Sequence, residues 1–513
     1  MEKITLSIKN WIKKNPIEFW ILLSILIIGA FMRLYKIDGY MTFLGDEGRD
    51  VIIVRRLLTE AHPPLIGPGT SIGNMYLGPF YYYMMAPALL IAGFSPIGPA
   101  IQIALLGIFT VWFVWYIGRT WFDKTVGLVA ASLYAISPTI VTYSHSSWNP
   151  NIMPFFSLLS VYSVWKVWKH QDYKWLVVLG FAFSGVIQSH YLGLLLVPTL
   201  GIFWLLSFWK VWKTKLQKTF VNKSLIGFGI FVILLSPLFF FDVRHNWMNT
   251  RAMYTFFTVR QTTVSIRPWT AIPKIPETLK IINTSLVGGK TLLAGEITSA
   301  IVGIIALFVL WKTFKDRKFL SINSELLMLI TWFGFALIGF GIYKQNIYDH
   351  YYGFVFSVPY LLIGIFVSFL FKYKLLGKVV GSTLLVYLVV VNLMQNPLKS
   401  QPGYQLDRAS NVAEKIKVES HGSKFNLGVI AERNYEDGYK YFLLKDNQPV
   451  VSIDSQVKDS ITDQLFVVCE LEKSKCDPTH NASAAVANFG WSKIDNSWEV
   501  DGVLLYRLIH SQK

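Results

Sequence analysis

The sequence is short of charge and nearly free of cysteine. Asp, Glu, Lys and Arg make up only 15% of 513 residues, while 53% are hydrophobic and 16% aromatic. Soluble domains carry about 25% charged residues, so this composition argues against a soluble enzyme and for a membrane protein. The two cysteines, Cys469 and Cys476, fall in no zinc-type spacing with the histidines. They could close a local disulfide if that region lies outside the cell. A Walker loop and a dinucleotide-binding glycine pattern are both missing, so neither nucleotide chemistry is indicated. No internal repeat is evident, which speaks against the repeated halves of many transporters. The net charge of +17 does not imply nucleic acid, because the Lys and Arg residues cluster in short loops between apolar runs.

That clustering gives a topology. A basic leader with Lys3, Lys9, Lys13 and Lys14 precedes an apolar run from Pro16 to Tyr35, long enough for one membrane-spanning helix. It has no small-residue cleavage site and reads as an anchor. Further spans are expected near 99–118, 125–141, 152–165, 175–189, 191–208, 224–241, 297–311, 325–342, 351–371 and 379–394. The stretch 75–94 is apolar but broken by Pro79 and Pro87, and reads as an interfacial helix. With that choice, every dense basic cluster falls on one side, including Lys210–Lys223, Lys312–Lys318 and Lys372–Lys378. The positive-inside rule makes that side cytoplasmic. The expectation is a polytopic α-helical membrane protein with about eleven transmembrane helices over residues 1–396. The N-terminus would be cytoplasmic, in the plasma membrane. Residues 397–513 are polar, with apolar bursts and helical patterns in alternation, and read as a small extracytoplasmic α/β domain. It shows no catalytic motif. A structural cap or a surface for acceptor recognition would both fit.

The hexad Gly45-Asp46-Glu47-Gly48-Arg49-Asp50 follows the first span directly. Its glycines would let the backbone turn tightly. Its carboxylates could serve as a general base and an orienting or cation-holding partner, or Asp46 could simply cap a helix. The helix that follows, near 46–60, is amphipathic and ends at His62-Pro63-Pro64. The other outer joints collect Trp148 and Asn149, His190 and Tyr191, and Lys344, His350 and Tyr351. His190 lies between two apolar runs with almost no loop, and polar groups at membrane depth tend to be functional. Lys344 ends a span on the side where lysine is otherwise sparse, as a group that meets a lipid phosphate would.

The order of these features resembles the GT-C glycosyltransferases, in particular the protein O-mannosyltransferase and lipid A aminoarabinose transferase group (family 39-like). Asp46-Glu47 matches an acidic pair early in the first outer loop. His62-Pro63-Pro64 matches a Pro-Pro element loosely. His190 with Gly193, and Lys344 through Tyr351 with Pro359, look similar to two later elements. Trp148-Asn149-Pro150 stands where many relatives place an Asp, and no Trp-Trp-Asp signature of oligosaccharyltransferases is present.

The resemblance implies an inverting transfer from a polyprenyl-phosphate-linked sugar to a hydroxyl acceptor at the outer face. Asp46 would be the base, and Glu47 would orient the acceptor or share a divalent cation with it. Lys344, His190 and Arg49 would neutralise the lipid phosphate, with His62, Trp148, Asn149, Tyr191, His350 and Tyr351 around the donor. A lipid-linked sugar flippase and a non-catalytic envelope scaffold remain as alternatives.

Overall fold

Pro16 opens the first long helix, Pro16–Leu34. Its ring lacks an N–H, and the first helical position needs none. The structure is a computed structural model and describes residues 9–70, 73–258, 263–265, 267–316 and 323–511. Lys3 of the basic leader and Lys318 of the 312–318 cluster lie outside them. A helical segment occupies each of the eleven expected spans. Seven described helices are long and apolar enough to cross a bilayer, among them Ile97–Trp121, Gln217–Arg244 and Ser324–Ile342. Asp349–Val355 and Ser357–Phe371 make a further candidate as a pair bent by 61°. Lys124–Ile136 and Trp175–Ser189 are apolar but shorter, so eleven counts helical segments and not full-length spans. The chain is a multi-pass membrane protein. The stretch near 75–94 contains the 12-residue helix Phe80–Ile91. At 1.5 Å per residue it is about 18 Å long, short of the roughly 30 Å hydrocarbon core.

Buried ionic groups tie the first helix to its neighbours. Glu18 pairs with Arg119 at 2.7 Å and accepts from Trp115 Nε1 at 3.2 Å. Arg33 is fully buried and donates through Nη1 to the carbonyls of Gly29 and Ala135, at 3.0 and 2.9 Å. Its helix is thereby clamped against Ile97–Trp121 and Lys124–Ile136, and the chain leaving it enters the acidic segment in a set direction.

The C-terminal region is the α/β unit expected. Its strands are β1 (Phe425–Ile430), β2 (Val450–Val451), β3 (Gln464–Cys469), β4 (Ser492–Val500) and β5 (Val503–His510), in the order β2-β1-β3-β5-β4. β1 is parallel to β2 and β3, and β5 is antiparallel to β3 and β4. Helices Gln405–Glu419 and Asp437–Lys445 cover the two helical patterns seen in the sequence. β4 lacks an apolar burst because it is a largely exposed edge strand, where water-facing side chains need no hydrophobic period. Cys469 and Cys476 form a disulfide.

The two regions interlock. Tyr404 N–H donates to Gly39 O at 3.0 Å, Phe43 N–H donates to Gln405 Oε1 at 3.0 Å, and the Tyr441 hydroxyl donates to Phe94 O.

Candidate active site

The acidic hexad does not turn. Gly45–Thr59 is one helix with Leu44 as its N-cap. Gly45 and Gly48 both lie inside it, and neither has a positive φ. The glycines serve close approach. A Cβ on Gly45 would lie 2.5 Å from the Tyr435 ring, and one on Gly48 would lie 2.3 Å from the Asp437 carbonyl carbon. The missing side chains let the C-terminal region seat directly on the helix.

The three carboxylates have different surroundings. Glu47 is buried, and its Oε2 accepts the Leu44 N–H at 3.1 Å, as the N3 residue of a capping box does. Burial pushes its carboxyl up to about 8. Capping here belongs to Glu47 and not to Asp46. Asp50 is fully buried. Its Oδ1 accepts from Arg49 Nε and Nη2 at 3.0 and 2.7 Å and from the Tyr82 hydroxyl at 3.1 Å. Desolvation still outweighs those donors and holds its carboxyl at about 6. Asp46 keeps its side chain 42% exposed. Its Oδ1 accepts from Arg49 Nη1 and from the Tyr435 hydroxyl, each at 2.8 Å.

Asp46 and Arg49 face a cavity of about 350 Å³, within the usual range for ligand pockets. Four sequence-distant joints meet there. Trp148, Asn149, His190, Tyr191, His350 and Tyr351 all line it, and Leu192, Leu195 and Ile342 add an apolar wall. The aromatic side is packed ring on ring. His190 lies 4.7 Å from Tyr351 and Trp148 lies 4.6 Å from His350, centroid to centroid. Asn149 Nδ2 donates to Ser189 O at 2.7 Å, and the Tyr191 hydroxyl donates to Tyr76 O at 2.6 Å. Both bonds fix one joint to another.

His190 differs from the cation expected of it. Burial lowers its imidazole to about 3, so the ring is neutral near pH 7. Its Nδ1 accepts the Leu192 N–H at 3.1 Å, which leaves the proton on Nε2. It can offer a phosphate a hydrogen bond but not a charge. His62 and Lys344 are exposed, and neither is among the lining residues. Lys344 follows Tyr343, which is. Glu47 is not among them either. No three His, Cys, Asp or Glu side chains among the described residues gather as a metal site. With Glu47 turned to the Leu44 N–H, the donor set does not fit an ion shared between Asp46 and Glu47.

Comparison with known proteins decides the fold. ArnT from Cupriavidus metallidurans, bound to undecaprenyl phosphate, superposes with a TM-score of 0.59 at 12% identity, over 97% of this chain and 98% of its own. The chain has the GT-C fold. Oligosaccharyltransferase AglB from Archaeoglobus fulgidus, in complex with an inhibitory peptide and a dolichol-phosphate, shares that GT-C fold with a TM-score of 0.53 at 13% identity, over 90% of this chain and 70% of its own. The family model described as dolichyl-phosphate-mannose-protein mannosyltransferase matches residues 77–241. No curated protein matches the sequence. The GT-C fold and the family match together support a membrane glycosyltransferase.

Tyr435 and Asn434 are the site neighbours that the sequence conceals. Each contacts the acidic helix from 389 residues away, and neither sits in a motif.

Proposed function

We propose that the protein transfers a hexosyl or pentosyl group from a polyprenyl-phosphate-linked donor to a hydroxyl on a protein, lipid or envelope glycan, with inversion. The carrying observation is the setting of Asp46. Its Oδ1 is held by Arg49 and Tyr435, while its Oδ2 has no protein hydrogen bond among the described residues and the residue opens on the cavity. Oδ2 is the atom that takes the acceptor's proton. The acceptor oxygen attacks the anomeric carbon opposite the phosphate, and the bond from that carbon to the phosphate oxygen breaks. The lipid phosphate leaves as an anion. That leaving group needs positive charge and donors more than a proton, and Arg49 and His190 Nε2–H stand on the cavity wall to supply them. Lys344 would meet the phosphate from the rim. The apolar wall of Leu192, Leu195 and Ile342 suits the first isoprene units. The lipid phosphates named for ArnT and AglB support a polyprenyl phosphate as the donor's carrier.

The site and the C-terminal domain lie together, since Tyr435 touches Asp46. Both belong on the outer face of the plasma membrane in this reading, with the N-terminus cytoplasmic. The Cys469–Cys476 disulfide supports that side, because the cytosol keeps thiols reduced.

The test is reconstitution with a polyprenyl phosphate carrying a labelled sugar. Transfer of label to a hydroxyl acceptor, with release of the free lipid phosphate, is expected. Movement of the intact lipid between leaflets without cleavage would instead make the protein a flippase.

A further inference from the structure

The C-terminal domain makes a direct hydrogen bond to the carboxylate on which the proposed chemistry depends. Tyr435 donates to Asp46 Oδ1 at 2.8 Å and accepts from Arg49 Nη1 at 3.3 Å, so it closes a ring with the two residues of the acidic helix that line the cavity. Half-burial, the neighbouring carboxylates and the bond itself hold its phenol well above the ordinary range. The hydroxyl keeps its proton and is the donor.

The position of Tyr435 is itself supported. Asn434 Oδ1 accepts the Gly45 N–H at 2.8 Å and the Tyr435 N–H at 2.9 Å, which fixes the Tyr435 backbone to the first turn of the acidic helix. Asn434 Nδ2 in turn donates to Glu470 Oε1 at 2.5 Å, and the Tyr439 hydroxyl donates to the same oxygen at 2.6 Å. Glu470 follows Cys469, one end of the disulfide. The ring of Tyr435 occupies the space that a Gly45 side chain would take. This is a supported arm reaching from the sheet to the site, and it makes the domain more than a lid over the bundle.

We propose that Tyr435 is a positioning residue that orients Asp46, so that Oδ1 is occupied and Oδ2 faces the acceptor, and that the C-terminal domain thereby completes the active site. The inference rests on the reading of Asp46 as the general base. Hydrogen bonds to an ionised carboxylate favour the charged form. Loss of the Tyr435 hydroxyl leaves Asp46 Oδ1 held by Arg49 Nη1 alone, at one point in place of two. The other charged or titratable groups facing Asp46 are Arg49, Glu47 and Asp50 on its own helix, Asp437 from the C-terminal domain, and His350 from the joint before the bent pair. None of them changes in the Tyr435 variants below, so a loss of kcat at unchanged donor KM and stability is assignable to the one bond removed.

The experiment uses the full chain in lipid nanodiscs, with a polyprenyl phosphate carrying a labelled sugar. The variants are Tyr435→Phe, Tyr435→Ala and Asp46→Asn. Initial rates, donor KM and thermal unfolding are measured from pH 5 to 9. Tyr435→Phe should unfold like the parent and keep its donor KM, because the ring still fills the gap above Gly45. Its kcat should fall roughly 10-fold or more, the usual range for a hydrogen bond to a charged group. Tyr435→Ala should lose stability as well, and restoring the ring as Phe should rescue the stability but not the rate. A Tyr435→Phe enzyme with the parent's kcat, beside an inactive Asp46→Asn, would overturn the positioning role and leave the base intact. A loss of rate in Tyr435→Phe that tracks a loss of thermal stability would overturn it too. An active Asp46→Asn would remove the base itself, and the positioning role with it.

Discussion

Arg49 holds Asp50 through Nε and Nη2, at 3.0 and 2.7 Å, and has only Nη1 left for Asp46. The fork is committed to the buried carboxylate first. Removing one partner of a buried pair leaves the other uncompensated, at a cost of about 3–5 kcal/mol. Arg49→Ala should therefore lower thermal stability strongly as well as abolish transfer. Arg49→Lys keeps the charge, loses the two-point grip, and should fall between. Unfolding followed by intrinsic fluorescence in detergent checks the order; an Arg49→Ala protein as stable as the parent would contradict it.

Glu47 gives a pH dependence with a defined sign. Its carboxyl is raised from 4.5 to about 8 in the folded protein, so the folded state holds that proton more tightly than the unfolded chain. The contribution of Glu47 to stability is then fully present below about 4.5 and is lost as pH rises through about 8. Asp50, raised from 3.8 to about 6, acts in the same direction over a lower window. The Glu47 share is on the order of a few kcal/mol. Glu47→Gln keeps an oxygen for the Leu44 N–H and does not titrate. It should lose most of the fall in melting temperature between pH 5 and pH 8.5 and keep near-normal transfer. A full fall in the variant would assign the pH dependence to another group, and a dead enzyme would return Glu47 to the chemistry.

The donor contacts should separate by charge. His190 offers a neutral N–H, worth about 0.5–1.5 kcal/mol, or roughly a 2- to 10-fold rise in donor KM on change to Ala. In the proposed reading Lys344, next to the lining residue Tyr343, would meet the phosphate as a cation, so Lys344→Ala should raise donor KM and make donor use less sensitive to salt. Titrating donor at two ionic strengths measures both. Unchanged donor kinetics in Lys344→Ala would take it out of the site.

Orientation is checked by labelling. Both native cysteines are in the disulfide, so single cysteines at Ser423 and Lys315, each exposed, report cleanly. Impermeant reagent on intact cells should label position 423 and spare 315. The reverse would invert the topology.

Much of this was legible from sequence, and the limits have physical reasons. Apolar runs and basic loops located a helical segment in each of the eleven expected spans, because the bilayer demands length and hydrophobicity in one continuous stretch, but not the helices Met248–Thr258 and Ile275–Ser285 between two of them. The joints bearing Trp148, His190 and Tyr351 could be placed on one side by parity alone, and they line one cavity. The roles inside the hexad were not legible. Asp46, Glu47 and Asp50 are the same kind of group, and only the direction each faces on the helix makes one exposed, one a cap and one a buried ion partner. The glycines suggested a turn because their other use, admitting Tyr435 and Asp437, depends on a surface built 389 residues later. For the same reason the polar C-terminal region, lacking any motif, left a structural cap and a surface for acceptor recognition both open and did not point to Tyr435.

The measurement that tests the account most directly is sugar transfer by Asp46→Asn, with donor-lipid binding measured on the same preparation. Glu47 performs the helix cap, so the substitution should leave the fold intact, and Asn can still accept from Arg49 and Tyr435. The variant should bind donor like the parent and transfer about 10²- to 10⁴-fold more slowly, the usual loss for a general base. Transfer within a few-fold of the parent, at equal donor binding, would contradict Asp46 as the base and with it the reading of this site.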